Sequence, residues 1–427
     1  MNQPTLTPTL IAVLREWLPL QRWFPVKSAD FSLEQAGSLS LEDATGHARL
    51  EVFLLAVSYA TADGGRRTDI VQVPLSYRDA PLSGAERALA GQAPDAGMPW
   101  IYDAVHDPAF VAAWLELIRS ESGSRSGSAT GRRTPSEHRL PTAHGMVKVL
   151  SGEQSNSSVI VDDGESAAIV KFFRVLSEGV NPEVEVGAAL TAQGTAEVPA
   201  TLGWVRGEWT APLPQTPGEL PPDSRQVQGE LAVAHEFLAG GRDAWRLAVD
   251  AARSGMDFTA EARALGAATA TVHRRLADAL GTSAEAAPGQ GIAHGVAQRV
   301  RQAWAEAGSA VGPYDDALNG LLAELDAVAA GPLQRIHGDL HLGQILQVPD
   351  RNGGPGRWAI LDFEGEPLRP IAERNFPDVP LRDVVGMLRS FDYAAGAAER
   401  EYQGAQVPAS WVDDCADAFL AGYAAVI

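Results

Sequence analysis

Residues 335–346 read Arg-Ile-His-Gly-Asp-Leu-His-Leu-Gly-Gln-Ile-Leu, and residues 358–367 read Trp-Ala-Ile-Leu-Asp-Phe-Glu-Gly-Glu-Pro. Together they set a carboxylate at Asp339, an amide five residues later at Gln344, and a second carboxylate, Asp362, at the end of an apolar run. This spacing constrains the fold strongly. The first two groups share one short loop, which fixes their separation, and a turn plus a β-hairpin must return the third beside them. The chemistry served by such a triplet is phosphoryl transfer. One carboxylate accepts or orients the proton of an attacking hydroxyl, while a neutral amide oxygen and a second carboxylate hold Mg²⁺ against nucleotide phosphates. His-Gly-Asp alone would specify little; its continuation through Gln344 into Asp-Phe-Glu-Gly-Glu-Pro is far more restrictive.

At 427 residues the chain is too long for one compact core, and two or three domains are expected. A net charge of -20 argues against nucleic acid or an anionic membrane surface as partner, because both reward clusters of Lys and Arg. Cys415 is the only cysteine, so no intrachain disulfide can form. No basic segment followed by an apolar one opens the chain, and no apolar run approaches membrane-spanning length. A cytoplasmic protein is the expectation.

Taken in order, the chain opens with an amphipathic segment at 10–18 and β-like runs at 49–56 and 68–77, with Trp17, Trp23 and Phe24 as core candidates. A helix is expected over 108–118. The Ser/Gly-rich stretch at 119–137 reads as a flexible loop. Residues 146–173 read as a β-hairpin turning at Asp162-Asp163-Gly164. Its small polar residues Ser155, Asn156, Ser157 and Ser158 are candidates for covering a phosphate chain. Lys171 closes an apolar strand, where an ammonium group needs a partner. Asn181 and Pro182 suit a helix start, and Glu183 and Glu185 follow in its first turn. A strand Lys on phosphates, braced by a helix Glu, is the kinase arrangement, and Glu185 is preferred here as the brace. Glu236, Phe237 and Leu238 end a buried strand before Gly240-Gly241, where a hinge backbone could meet adenine. Helices are expected at 261–280 and 293–329, with His273 structural. A further helix carries Val384, Val385, Met387, Leu388 and Phe391 on one apolar face, with Asp383 as its N-cap. His341, Arg382, Asp383, Asp392 and Tyr393 are candidates for acceptor contacts, with a scaffold role open for Arg382 and Asp383.

These motifs resemble the actinobacterial maltokinases, within the aminoglycoside-phosphotransferase and eukaryotic-like kinase superfamily. The resemblance rests on Gln-Arg-Trp-Phe at 21–24, Glu-Gln-Ser-Asn-Ser-Ser-Val at 153–159, Asn-Pro-Glu-Val-Glu-Val-Gly at 181–187, the two segments above, and residues 380–394. It implies an α+β, bilobal protein-kinase-like fold with an N-terminal α+β cap domain and a mostly helical C-terminal lobe. The implied boundaries are a cap at 1–105, an intermediate region and ATP-binding lobe at 106–238, and a helical lobe at 239–427. ATP and Mg²⁺ are the implied cofactors, and maltose the acceptor, phosphorylated at its anomeric hydroxyl for α-glucan synthesis. Association with trehalose synthase is implied as well. Asp339 becomes the catalytic base; Gln344, Asp362 and Glu364 become metal ligands; Lys171 grips the α- and β-phosphates. His337 is implied to organise the loop.

There are two departures. Residues 25–27 read Pro-Val-Lys, where maltokinases carry a small residue and Gly before the Lys, and the chain ends at Ile427, where they continue with helices that contact the disaccharide. A kinase of the same fold acting on glucosamine is the runner-up, with Glu364 and Glu366 favouring maltose. A catalytically impaired regulatory homologue is the third reading.

Overall fold

The computed structural model describes residues 3–28, 30–61, 64–93, 97–142, 145–150, 156–212, 224–283, 291–308, 311–327, 332–350, 356–366, 371–402 and 407–427. The chain forms two compact units, one of residues 1–192 and 199–239, the other of residues 193–198 and 240–427.

The first unit is built on two sheets. Its elements are α1 (Pro8–Trp17), β1 (Phe31–Leu41), β2 (Arg49–Ala60), β3 (Arg66–Arg78), β4 (Leu89–Gln92), β5 (Trp100–Asp103), α2 (Pro108–Ser120), β6 (Ala129–Arg133), β7 (Met146–Val149), β8 (Asn156–Asp162), β9 (Ala167–Phe173), β10 (Val175–Leu176), α3 (Pro182–Ala192), β11 (Thr201–Pro212) and β12 (Ser224–Glu236). The first sheet runs β1-β2-β3-β5-β4, with β10 also paired to β3; the second runs β6-β11-β12-β9-β8-β7. Strand β2 lacks a polar face because both of its faces are covered. Phe53, Leu55 and Val57 join Trp17, Trp23 and Phe24 in one core, while Val52 and Leu54 join a second core that includes Val159, Phe172 and Val233. That second core spans both sheets, so no break in packing separates them. Arg174 ties them further. Its fully buried guanidinium donates to both oxygens of Asp103, at 2.9 and 2.6 Å, and to Ser157 Oγ at 2.9 Å, and lies 4.5 Å from the Trp23 ring centroid.

The stretch expected as a flexible loop at 119–137 instead carries β6, which pairs with β11. Glycine permits this: a Cβ on Gly131 would stand 1.9 Å from the Leu117 carbonyl oxygen, so the Gly-rich composition serves close packing rather than mobility. The hairpin expected at Asp162-Asp163-Gly164 is present, with Gly164 at φ +83° and the Asp163 carboxylate accepting from the amides of Glu165 and Ser166.

The second unit is mostly helical. It contains β13 (Arg242–Asp243), α4 (Ala244–Ser254), α5 (Thr259–Leu280), β14 (Thr282–Ser283), α6 (Gly291–Ala307), α7 (Asp315–Ala327), β15 (Leu333–Gln334), β16 (Ile345–Val348), β17 (Arg357–Ile360), α8 (Ile371–Arg374), α9 (Leu381–Glu401) and α10 (Trp411–Ala424). Strands β13-β16-β17 form a small sheet, and β14 pairs with β15. The helical run expected over 293–329 is two helices, α6 and α7; Gly308 at φ +60° and Pro313 interrupt it. On α9, Val384, Met387 and Phe391 are buried as expected, but Val385 is 52% exposed. The N-cap position of α9 belongs to Pro380, and Asp383 stands inside the first turn. No helix among the described residues is long and apolar enough to cross a membrane.

Candidate active site

In the second unit, residues 335–344 form a loop pinned at several points. Gly338 has φ +85°, and a Cβ there would lie 3.4 Å from Cα of Gly365, itself at φ +72°. Glycine adopts the positive φ of both turns without the strain a side chain would bring. His337 donates through Nε2 to the Leu361 carbonyl at 2.7 Å, and its Nδ1 accepts from the Asp339 amide at 3.3 Å. The two bonds agree on a neutral ring with its proton on Nε2. His337 therefore ties the loop to the segment carrying Asp362, the organising role implied for it.

Asp383, a candidate acceptor contact by sequence, is a scaffold residue. Its side chain is 1% exposed. Oδ2 accepts from the His337 amide at 2.8 Å and from His273 Nε2 at 3.0 Å, and Oδ1 accepts from the Gly338 amide at 2.9 Å. Burial pushes its pKa up, but His273, His337 and the Gly338 amide outweigh burial and hold it below the usual Asp value. No substrate could reach it. Asp339, the residue after Gly338, is half-buried. Burial raises its pKa; the neighbouring His341 and His337 oppose this, and Glu366 and Asp362 add to it. His341 is half-buried too, and burial lowers its pKa. Its Nδ1 accepts from the Gly343 amide at 3.1 Å.

Gln344 Nε2 donates to Asp362 Oδ2 at 3.1 Å, which leaves Gln344 Oε1 as an acceptor. Carboxylate oxygens of Asp362 and Glu364 lie within 4.8 Å of each other. A donor set of oxygens alone suits a hard cation such as Mg²⁺. Asp362 also has φ +63°, one of two non-glycine residues described with positive φ. A left-handed Asp costs about 1–2 kcal/mol of backbone strain, and such outliers cluster at functional sites. Asp362→Gly is therefore expected to change the melting temperature by only a few degrees while removing turnover, a pair of outcomes that calorimetry and an ADP-release assay would read side by side. Arg374, which the sequence reading did not single out, lies in the same cluster. Burial lowers its pKa, and Glu364, Glu366 and Asp339 oppose that shift. Its Nη1 donates to the Glu364 carbonyl at 3.3 Å.

In the first unit, Lys171 on β9 stands 3.0 Å from Glu183 on α3, so the brace assigned to Glu185 is held by Glu183. Asn181 caps the helix through the Glu183 amide at 2.9 Å, as expected. Glu185 begins two positions on, about 200° around the axis. Glu183 stands on the side facing the sheet, where His235 Nε2 also approaches its Oε1 at 3.2 Å. Burial pushes the Glu183 carboxyl up, but Lys171 and His235 together hold it well below the usual range. His235 was legible only as part of an apolar strand. Ser157 and Ser158 do not line a phosphate loop. Both lie within β8; Ser157 Oγ accepts from Arg174, and Ser158 is 1% exposed opposite Lys171. Asn156 is the first residue of that strand, and Ser155 lies outside the described residues. Of the proposed hinge, Glu236 and Phe237 already donate their amides to the carbonyls of Ala200 and Ala167, and Leu238 is buried.

Asp392 and Tyr393 line an open cleft of about 550 Å³ in the second unit, with Trp245 from α4 and Gly396, Glu399 and Arg400 further along α9. Arg382 is engaged elsewhere, at 2.6 Å from Glu366 and 2.9 Å from Asp378.

Sequence comparison relates this chain to two glucosamine kinases. That of Streptacidiphilus jiangxiensis is 32% identical over 56% of this chain, and the match spans only 53% of that enzyme's length. That of Mycolicibacterium smegmatis is 27% identical over 74% of this chain and 76% of its own. The preference for maltose drawn from Glu364 and Glu366 gains no support from these relatives. Among solved structures, a glucosamine kinase in complex with glucosamine, ADP and inorganic phosphate aligns with TM-score 0.66 at 22% identity, over 100% of this chain and 88% of the other. The bilobal kinase fold with an added N-terminal cap is thus the fold of this protein. The maltokinase N-terminal cap domain matches residues 17–107. The phosphotransferase enzyme family matches residues 147–411, more than half of the chain, and the protein belongs to that family.

Proposed function

We propose that the protein is an ATP-dependent kinase that phosphorylates an amino sugar, with glucosamine favoured over maltose as the acceptor. The observation that carries the reading is the pinned loop, with Asp339 half-buried and Gln344 hydrogen-bonded to Asp362, in a chain of the phosphotransferase family. An acceptor hydroxyl oxygen attacks the γ-phosphorus in line. The new O–P bond forms as the bond to the bridging oxygen breaks, ADP leaves, and the hydroxyl proton passes to the Asp339 carboxylate. Lys171 grips the α- and β-phosphates, braced by an ionised Glu183, and the 236–238 stretch meets the adenine. Gln344, Asp362 and Glu364 would hold Mg²⁺, which neutralises phosphate charge.

Two observations favour glucosamine. The curated relatives carry that activity, and the ammonium group of an amino sugar suits a cleft whose lining carries the carboxylates of Asp392 and Glu399 against the cation of Arg400. Maltose stays as the second reading because the cap matches that of maltokinases; α-glucan synthesis and association with trehalose synthase belong to that reading alone. The test is ADP release by purified protein with ATP and Mg²⁺ across glucosamine, maltose, glucose and no sugar. Glucosamine-dependent release is expected. Release with maltose only would overturn the acceptor, and no release with any sugar despite bound nucleotide would favour the regulatory homologue.

Gly396 gives a sharper test of the acceptor cleft. It lies inside α9, where glycine costs about 0.5–1 kcal/mol relative to Ala, yet a Cβ there would meet nothing within 4 Å. Fold packing does not call for it, and Gly396 lines the cleft. Gly396→Ala is expected to raise the melting temperature, and Gly396→Leu to raise the acceptor KM by about 10-fold, the order of a misfit of one to three kcal/mol, with the ATP KM unchanged.

A further inference from the structure

We propose that Tyr423 is a positioning residue for the catalytic loop, acting through His273 and Asp383; this rests on the reading of Asp339 as the base. The three side chains form one chain of hydrogen bonds. The Tyr423 hydroxyl stands 2.9 Å from His273 Nδ1, and His273 Nε2 stands 3.0 Å from Asp383 Oδ2. Asp383 in turn holds the amides of His337 and Gly338, the two residues before Asp339.

With the His273 ring neutral, one polarity follows: a carboxylate only accepts, so the proton facing it sits on Nε2, and Nδ1 presents a lone pair. The phenol, whose pKa burial pushes up to about 12 with the Asp383 charge adding, stays protonated and donates to that lone pair. Tyr423 thereby reinforces the His273 tautomer that Asp383 demands. Without its hydroxyl, a ring only 2% exposed has an orphaned nitrogen and loses one of the two bonds that fix its orientation toward the carboxylate. The hold on residues 337 and 338 then slackens.

The helix packing brings the hydroxyl there. A Cβ on Gly266 of α5 would lie 2.0 Å from the Phe419 carbonyl oxygen, and one on Gly422 of α10 would lie 1.9 Å from the Arg263 carbonyl oxygen. Glycine at both positions lets α5 and α10 approach closely. His273 follows Gly266 by seven residues, about two turns, and Tyr423 follows Gly422 directly. The rings meet edge-on with centroids 5.7 Å apart. A contact between helices thus reaches the residues that aim the base.

The test uses the full-length chain with Tyr423→Phe, which removes one oxygen and keeps the ring. Three results are expected. Turnover falls about 10-fold with KM for ATP and sugar unchanged, as for loss of alignment rather than of binding. The nitrogen-15 shift of His273 Nδ1 moves as its hydrogen bond is lost. Amide hydrogen exchange at His337 and Gly338 speeds up. His273→Gln, which can donate to Asp383 and accept from Tyr423, is expected to retain more turnover than His273→Leu. Wild-type exchange at both amides in Tyr423→Phe would overturn the relay whatever the activity. So would a loss of turnover explained wholly by unfolding, with the His273 signals of the folded protein unchanged. Wild-type protein inactive on every sugar would instead overturn the kinase reading, and exchange would still decide the relay.

Discussion

Asp339→Asn is expected to lower turnover by about 10²–10⁴-fold, the range for loss of a general base, while nucleotide binding persists and the melting temperature does not fall. The first part follows from chemistry: the amide cannot accept the hydroxyl proton. The second follows from the direction of the pKa shift. Burial raises the Asp339 pKa in the folded protein, so the folded state holds that proton more tightly than the unfolded chain does. Stability is therefore lost as pH rises from the unfolded value through the folded one, and the penalty persists at neutral pH. Asparagine carries no charge and removes it. The same direction puts the acid limb of the rate profile above the ordinary Asp range, because turnover needs the ionised form. Steady-state ADP release against pH and a thermal melt would check both. Full turnover in Asp339→Asn would end the assignment of the base.

Glu183→Ala is expected to lower stability by about 3–5 kcal/mol, because it removes a buried carboxylate from beside a largely buried cation. Lys171 and His235 both meet this carboxylate, whose side chain is 6% exposed. Nucleotide binding is expected to weaken as well, since Lys171 loses its brace. The pH dependence has the opposite sign to that of Asp339. The folded pKa of Glu183 is depressed, so its contribution is complete above the unfolded Glu value and is lost as pH falls toward the folded one. Wild-type stability should drop on acidification through the carboxylate range, and Glu183→Ala should flatten part of that drop. Urea titrations at pH 3 to 7 would measure it. Adding Lys171→Met to Glu183→Ala should recover part of the loss, and strict additivity of the two changes would argue that the pair is not coupled.

The sequence by itself determined what local order can carry. Asp339, Gln344 and Asp362 were legible because their spacing along the chain is their spacing in the site, with one loop and one hairpin between them. The Asn181 cap, the turn at Asp163-Gly164 and the buried face at Val384, Met387 and Phe391 were legible because each depends on neighbours within a few residues. Only the tertiary structure decided which groups meet across long separations. Glu183 rather than Glu185 meets Lys171 because α3 turns one side toward β9 and β12, and a first-turn pattern of alternating Glu and Val does not encode that rotation. Ser157 and Ser158 read as loop donors because small polar residues suit loops, yet the buried Arg174 draws one of them into a strand and the sheet covers the other. Asp383 looked like a ligand or a cap, and became the anchor of the catalytic loop because His273, 110 positions away, and the amides of His337 and Gly338 converge on its carboxylate. The physical reason is common to all three. A charged group taken out of water must be met by a partner, and which partner reaches it depends on how the elements pack, which no short stretch of sequence specifies.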